Sequence, residues 1–176
     1  MQRVNMKFCY IEFIPKDLNS LMRTSDFINR IKLAKENSEL GGEDSELFNE
    51  AAFLGFLTEN ERSYFWNPTP EEVKEWEKEW FSTPVTIRLS SEMLMPPWHF
   101  GSMLDAFANG EYELLGIQEE SGKFYFSFNP LGYPYGGTGC MIASLECFGH
   151  QVIGIDDGTG YVEYVPKRFF WKPKKQ

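Results

Sequence analysis

The sequence has little cysteine and no long hydrophobic run. Its three cysteines, Cys9, Cys140 and Cys147, are too few and odd in number for a disulfide-stapled secreted domain. No stretch approaches the roughly 18 consecutive apolar residues that a membrane span needs, and residues 1–10 lack the apolar run of a signal peptide. These absences predict a cytoplasmic protein that does not enter a membrane.

Histidine is scarce too, and the common metal and nucleotide motifs are missing. The two histidines, His99 and His150, lie far apart without a Cys-x-x-Cys pair, which excludes the usual zinc patterns. The alternating acidic residues of a calcium loop, the glycine fingerprint of a dinucleotide site and the P-loop are also absent. We therefore expect no metal ion and no cofactor.

Positive charge is sparse outside the C-terminus. The chain has 17 basic and 26 acidic residues, and five basic ones lie at positions 167–176, which leaves 12 against 26, a balance of −14, in residues 1–166. Between Glu39 and Glu79, twelve acidic residues stand against three basic ones. Because phosphate neutralisation needs clustered lysine and arginine, we expect a basic protein as partner and no nucleic acid. A solvated surface that keeps the protein soluble is the alternative.

Apolar side chains, in contrast, are plentiful. Hydrophobic residues make up 42% of the chain and aromatic residues 16%. A chain of 176 residues with this content can bury a substantial core without disulfides or metals. We expect one domain over residues 1–166, followed by a basic, aromatic C-terminal arm over residues 167–176.

Hydrophobic periodicity predicts the order of the elements. Strands are predicted at residues 7–14, 84–90, 111–118, 123–129, 151–156 and 161–165. Helices are predicted at residues 17–36 (where residues 24–26 could form a break), 47–57, 70–81 and 138–148, and in a segment that ends at Ala108. Their irregular alternation predicts an α+β fold with a largely antiparallel sheet of about five strands and four to six helices, mainly on one face.

The glycine-rich segment YPYGGTGC joins a predicted strand to a predicted helix. Because free N–H groups and the dipole at a helix start bind anions, one interpretation is a phosphate or carboxylate cradle. The other is that the glycines permit a tight turn and that the threonine caps the helix. The candidate binding residues here are Tyr133, Tyr135, Gly136, Gly137, Thr138 and Gly139.

Cys140 ends this segment, at the predicted helix start. An exposed thiol there would have a lowered pKa and could act as a nucleophile. His99 would be its base, because His150 lies about 15 Å away at the other end of the same predicted helix. A small buried cysteine without chemistry is the alternative.

Asp156, Asp157 and Tyr161 complete the set of candidate binding residues. The two adjacent carboxylates could serve acid–base chemistry, but the Asp-Gly pair that follows is also a hairpin signal. Tyr161 and the neighbouring tyrosines could form a sugar- or protein-binding face, or seal a sheet edge.

These observations favour a binding protein over an enzyme. The first hypothesis is that an acidic, aromatic-rich surface binds a basic protein partner, as in a regulator or a toxin-neutralising immunity protein. The alternative is a small-molecule enzyme or anion-binding domain that uses residues 136–140 with Asp156 and Asp157. A third hypothesis is carbohydrate binding by the tyrosines.

Overall fold

The structure is a computed structural model that describes residues 8–39, 50–90, 96–131 and 137–166. The helices are α1 (Leu18–Glu39), α2 (Glu50–Leu54), α3 (Glu59–Arg62), α4 (Pro70–Ser82), α5 (Val85–Arg88), α6 (Phe100–Asn109) and α7 (Gly139–Glu146). The strands are β1 (Cys9–Ile14), β2 (Tyr112–Glu120), β3 (Lys123–Pro130), β4 (Gln151–Asp156) and β5 (Tyr161–Glu163). The predicted arm at residues 167–176 and the candidates Tyr133, Tyr135 and Gly136 lie outside the described residues.

The described strands form one antiparallel sheet in the order β2-β3-β1-β4-β5. The first strand in the sequence therefore lies at the centre of the sheet. Ile11 of β1 is opposite Phe126 of β3 on one side and Ile155 of β4 on the other. The α+β fold with an antiparallel sheet of about five strands is confirmed.

Alternation along β1 separates the two faces of the sheet. Cys9, Ile11 and Phe13 are buried in the core, whereas the intervening Tyr10 and Glu12 project from the opposite face. Helix residues in the same core include Phe27, Ile31, Phe107 and Leu145. The helices thus lie mainly on one face of the sheet, as predicted.

Residues 84–90 contain the short helix α5, so the predicted strand is wrong. The N–H of Arg88 donates to the carbonyl of Pro84, and that of Leu89 to the carbonyl of Val85, each at 3.0 Å. A β-branched segment forms a strand only where a neighbour completes its hydrogen bonds, and this one lies outside the sheet. With α2, α3 and α5 all short, the described residues contain seven helices, slightly more than the predicted four to six.

Two longer helices show how local hydrogen bonds set their bounds. α1 continues through residues 24–26, where Thr24 Oγ1 donates to the carbonyl of Ser20 at 2.8 Å within the helix. α4 begins at the predicted capping box, in which Thr69 Oγ1 accepts from the N–H of Glu72 and the Glu72 carboxylate accepts from the N–H of Thr69. Across the described residues, none of the helices combines the length and apolar content needed to cross a membrane.

Candidate functional site

A cleft of about 540 Å³ lies between the start of α7 and the edge strand β5. The predicted candidates Gly137, Thr138 and Gly139 line it. Aromatic and aliphatic side chains form most of its remaining walls, and Glu146 and Glu163 are the charged residues among its described lining residues. Glu163 alternates with Val162 along β5, so its carboxylate projects from the other face of the sheet. The glycine-rich segment therefore borders a concave site, at least in its described part.

The backbone conformation of one residue and a close contact at another favour glycine at this helix start. Gly137 has φ +61°, a conformation that disfavours residues with a Cβ. A Cβ on Gly139 would come within 3.1 Å of the indole ring of Trp98. Thr138 occupies the N-cap position, but its side chain makes no capping hydrogen bond.

Glu146, at the end of α7, joins two tyrosines beside the cleft. The hydroxyl of Tyr64 donates to Glu146 Oε2 at 2.7 Å, and the hydroxyl of Tyr164 donates to Oε1 at 2.9 Å. Burial, followed by the charge of Glu146, raises the pKa of Tyr64 far above its ordinary value, so this hydroxyl keeps its proton. The three side chains form one polar group in an otherwise largely apolar cleft.

Sequence reasoning did not identify this polar group. Glu146 is the single charged residue between Gly139 and Gly149, a signal that could have indicated a polar contact within an apolar helix. Tyr64 gave no comparable signal, because it lies 82 residues away along the chain and in a separate aromatic run.

Cys140 points into the core and not into the cleft. Its side chain is 1% exposed, and its sulfur lies 3.3 Å from the hydroxyl of Tyr112. Burial raises the pKa of the Cys140 thiol to about 11, so the thiol is protonated at neutral pH. His99 is exposed at the start of α6, and within the described structure it shares no hydrogen bond with Cys140. This arrangement gives no support to a nucleophilic cysteine.

Asp156 and Asp157 use their carboxylates within the β4–β5 turn. Asp156 Oδ1 accepts from the N–H of Gly158 at 3.0 Å. Asp157 Oδ1 accepts from the N–H of Thr159 at 3.1 Å and from its hydroxyl at 2.7 Å, and these bonds hold the pKa of Asp157 below its ordinary value. The two carboxylates thus stabilise a tight turn.

Asp156 and Tyr161 lie on the opposite face of the sheet from the cleft. They are paired with each other, and Asp156 is also paired with the outward-facing Tyr10. Their strand neighbours Ile155 and Val162 line the cleft instead. The structure therefore does not bring Asp156 and Tyr161 together with Gly137–Gly139.

A second surface, formed by α4 and α5, carries exposed apolar side chains. α4 contributes no buried residue. Phe81 is 75% exposed, Val85 is 57% exposed and Leu89, at the end of α5, is 84% exposed. α4 also carries Trp76 and Trp80, whose stacked rings are 5.5 Å apart. We call these five residues the α4–α5 surface.

Contacts between aromatic rings and a guanidinium hold this surface in place. Trp66 packs edge-on against Trp76 at 5.9 Å, and Arg88 of α5 lies 5.3 Å from the centre of the Trp80 ring. The exposed side of α4 is acidic, with five glutamates against two lysines over Pro70–Ser82. The acidic helix α4 is therefore followed directly along the chain by the exposed apolar side chains of Val85 and Leu89.

Comparison of this chain with known protein families, curated proteins and solved structures found no match.

Proposed function

We propose that this protein is a non-enzymatic binding protein whose α4–α5 surface contacts a basic protein partner, as a regulator or a toxin-neutralising immunity protein would. The observation that carries this proposal is the exposed apolar side chains at the end of α4 and along α5, next to an excess of glutamate. Contiguous exposed apolar side chains rimmed by charge are typical of interaction sites.

The expected energetics match such a contact. Complete burial of a Phe or Leu side chain contributes about 1.5–3 kcal/mol, and Phe81 and Leu89 have most of their surface left to bury. The glutamates of α4 would add little net affinity but would accelerate encounter with a basic partner and select against acidic ones.

The experiment is affinity capture of a partner from the native host, followed by titration calorimetry with the purified partner. The Phe81→Ser/Leu89→Ser double variant should weaken binding by roughly a hundredfold, as expected for two buried apolar contacts. Leu18→Ser is the matched control, because Leu18 is also a highly exposed leucine, at 72%, but lies at the start of α1.

Charge is tested separately from apolar contact. Glu79→Lys should slow association and reduce its salt dependence, whereas Glu119→Lys, outside α4 and α5 on the β2–β3 hairpin, should have a smaller effect. A complex that forms equally well at high salt and tolerates the double serine variant would contradict the proposal.

A further inference from the structure

The polar group in the cleft offers acceptors to a ligand and no donors. Both hydroxyl protons, from Tyr64 and Tyr164, are donated to Glu146. An ionised carboxylate is acceptor-only and has about four lone-pair sites, of which these two bonds use two. The lone pairs that remain on the carboxylate can only accept, so a ligand that binds to it must donate.

The charge of the lining favours the same kind of ligand. Glu146 carries a carboxylate on the α7 side of the cleft, and the described lining residues include no lysine, arginine or histidine. An anion would be repelled by the Glu146 carboxylate, whereas a cation would be attracted to it.

The walls supply the remaining contacts that an organic cation needs. The rings of Tyr64, Trp98 and Tyr164 line the cleft together with the aliphatic Ile142 and Val162. Aromatic faces attract ammonium and guanidinium groups, and aliphatic walls accommodate their alkyl chains. The volume of about 540 Å³ falls within the range typical of small-molecule sites.

We propose that this cleft binds an organic cation, namely an alkylammonium or alkylguanidinium group whose N–H donors face Glu146. The proposal is independent of the partner contact on the α4–α5 surface. The cation can be a free amine or the side chain of a lysine or arginine in a peptide, because the recognised chemistry is the same.

The test is an NMR titration of the ¹⁵N-labelled full chain with n-butylammonium, with n-butylguanidinium and with 1-butanol as the neutral isostere of the ammonium. We expect saturable shifts at the amides of Gly137, Thr138 and Ile142 and at the indole N–H of Trp98. Fragments of this size should bind in the millimolar range, and the alcohol should bind about tenfold more weakly. Equal affinity for the alcohol, or absence of saturable shifts, would overturn the proposal.

Substitution of the carboxylate provides the second test. Glu146→Gln should weaken binding of either cation by about tenfold or more. Glu119→Gln removes the same charge on the hairpin far from the cleft and should leave binding unchanged. Equal binding by the Glu146→Gln variant would rule out the assigned role of the carboxylate.

A charge-reversal pair keeps the proposal testable if Glu146→Gln does not fold. Val162 lines the cleft and is 64% exposed, so both polar replacements can be accommodated at this site. Val162→Lys should weaken cation binding, whereas Val162→Glu should maintain or strengthen it, and the reverse order would contradict the proposal. A Gly-Lys-Gly peptide with blocked ends, titrated beside free n-butylammonium, distinguishes a peptide-borne cation from a free one.

Discussion

His150 donates a hydrogen bond from Nε2 to the hydroxyl of Thr24, with 2.8 Å between Nε2 and Oγ1. The direction of this bond follows from the neighbouring ones. Thr24 uses its own proton on the carbonyl of Ser20, and His150 Nδ1 accepts from the N–H of Lys16 at 3.1 Å. His150 is therefore buried as the neutral imidazole with its proton on Nε2.

The buried His150 predicts a loss of stability in mild acid. Burial lowers the pKa of His150 from 6.5 to about 4. Between these two pH values the unfolded chain binds a proton at His150 and the folded chain does not. The unfolding free energy is therefore highest above the pKa of the unfolded chain and falls as the pH drops toward the lower pKa of the folded chain. The loss should total about 3 kcal/mol. Urea unfolding from neutral pH to about pH 4.5 measures this loss.

The control for this prediction is the second histidine. His150→Asn should flatten the pH profile in this interval, whereas His99→Asn, at an exposed site, should leave the profile unchanged. A His150 ring signal that titrates near its ordinary pKa in the folded protein would contradict the assignment.

Substitution of Lys35 should destabilise the protein more than substitution of a surface lysine does. The Lys35 side chain is buried, and Nζ donates to the carbonyl of Gly110 at 2.6 Å, beyond the last turn of α6, while it lies 5.3 Å from the Tyr112 ring. Removal of the ammonium leaves buried carbonyls at a helix C-terminus without their donor. Lys35→Met should cost about 2–3 kcal/mol of unfolding free energy, and Lys32→Met, at a more exposed site on the same helix, well under about 1 kcal/mol. Similar losses for both would contradict this role.

Substitutions of Gly154 and Tyr161 should have non-additive effects on the free energy of unfolding. A Cβ on Gly154 would lie 2.3 Å from the end of the Tyr161 ring, so this ring covers the glycine across β4 and β5. Gly154→Ala should displace the ring and cost about 1–2 kcal/mol. In a Tyr161→Ala background the same change should cost much less, since the obstructing ring is gone. Additive losses in urea unfolding would show that the ring contact is unimportant.

The buried cysteines should react slowly with thiol reagents in the folded protein. Cys140 and Cys147 are buried, and burial raises the pKa of both thiols. In a Cys9→Ala variant, Ellman's reagent should modify both remaining thiols completely in urea. Over the same time it should leave these thiols unmodified in the folded protein. Fast reaction of one thiol in the folded state would revive the hypothesis of a nucleophilic Cys140.

Local patterns in the sequence predicted most of the secondary structure. The capping box at Thr69 and Glu72 and the alternation along β1 depend on near neighbours, and both are confirmed. The predicted strand at residues 84–90 is wrong because β-branched composition carries no information about whether another strand lies alongside.

The sequence by itself determined an acidic, aromatic-rich α+β chain and singled out Gly137, Thr138 and Gly139 at a helix start. Only the tertiary structure decided what these residues border, because Glu146 meets Tyr64 across 82 residues of chain. It also turned Asp156 and Tyr161 to the other face of the sheet. Hydrogen bonds within a helix or turn are encoded by residues a few positions apart, whereas the contents of a cleft depend on how distant elements pack against one core.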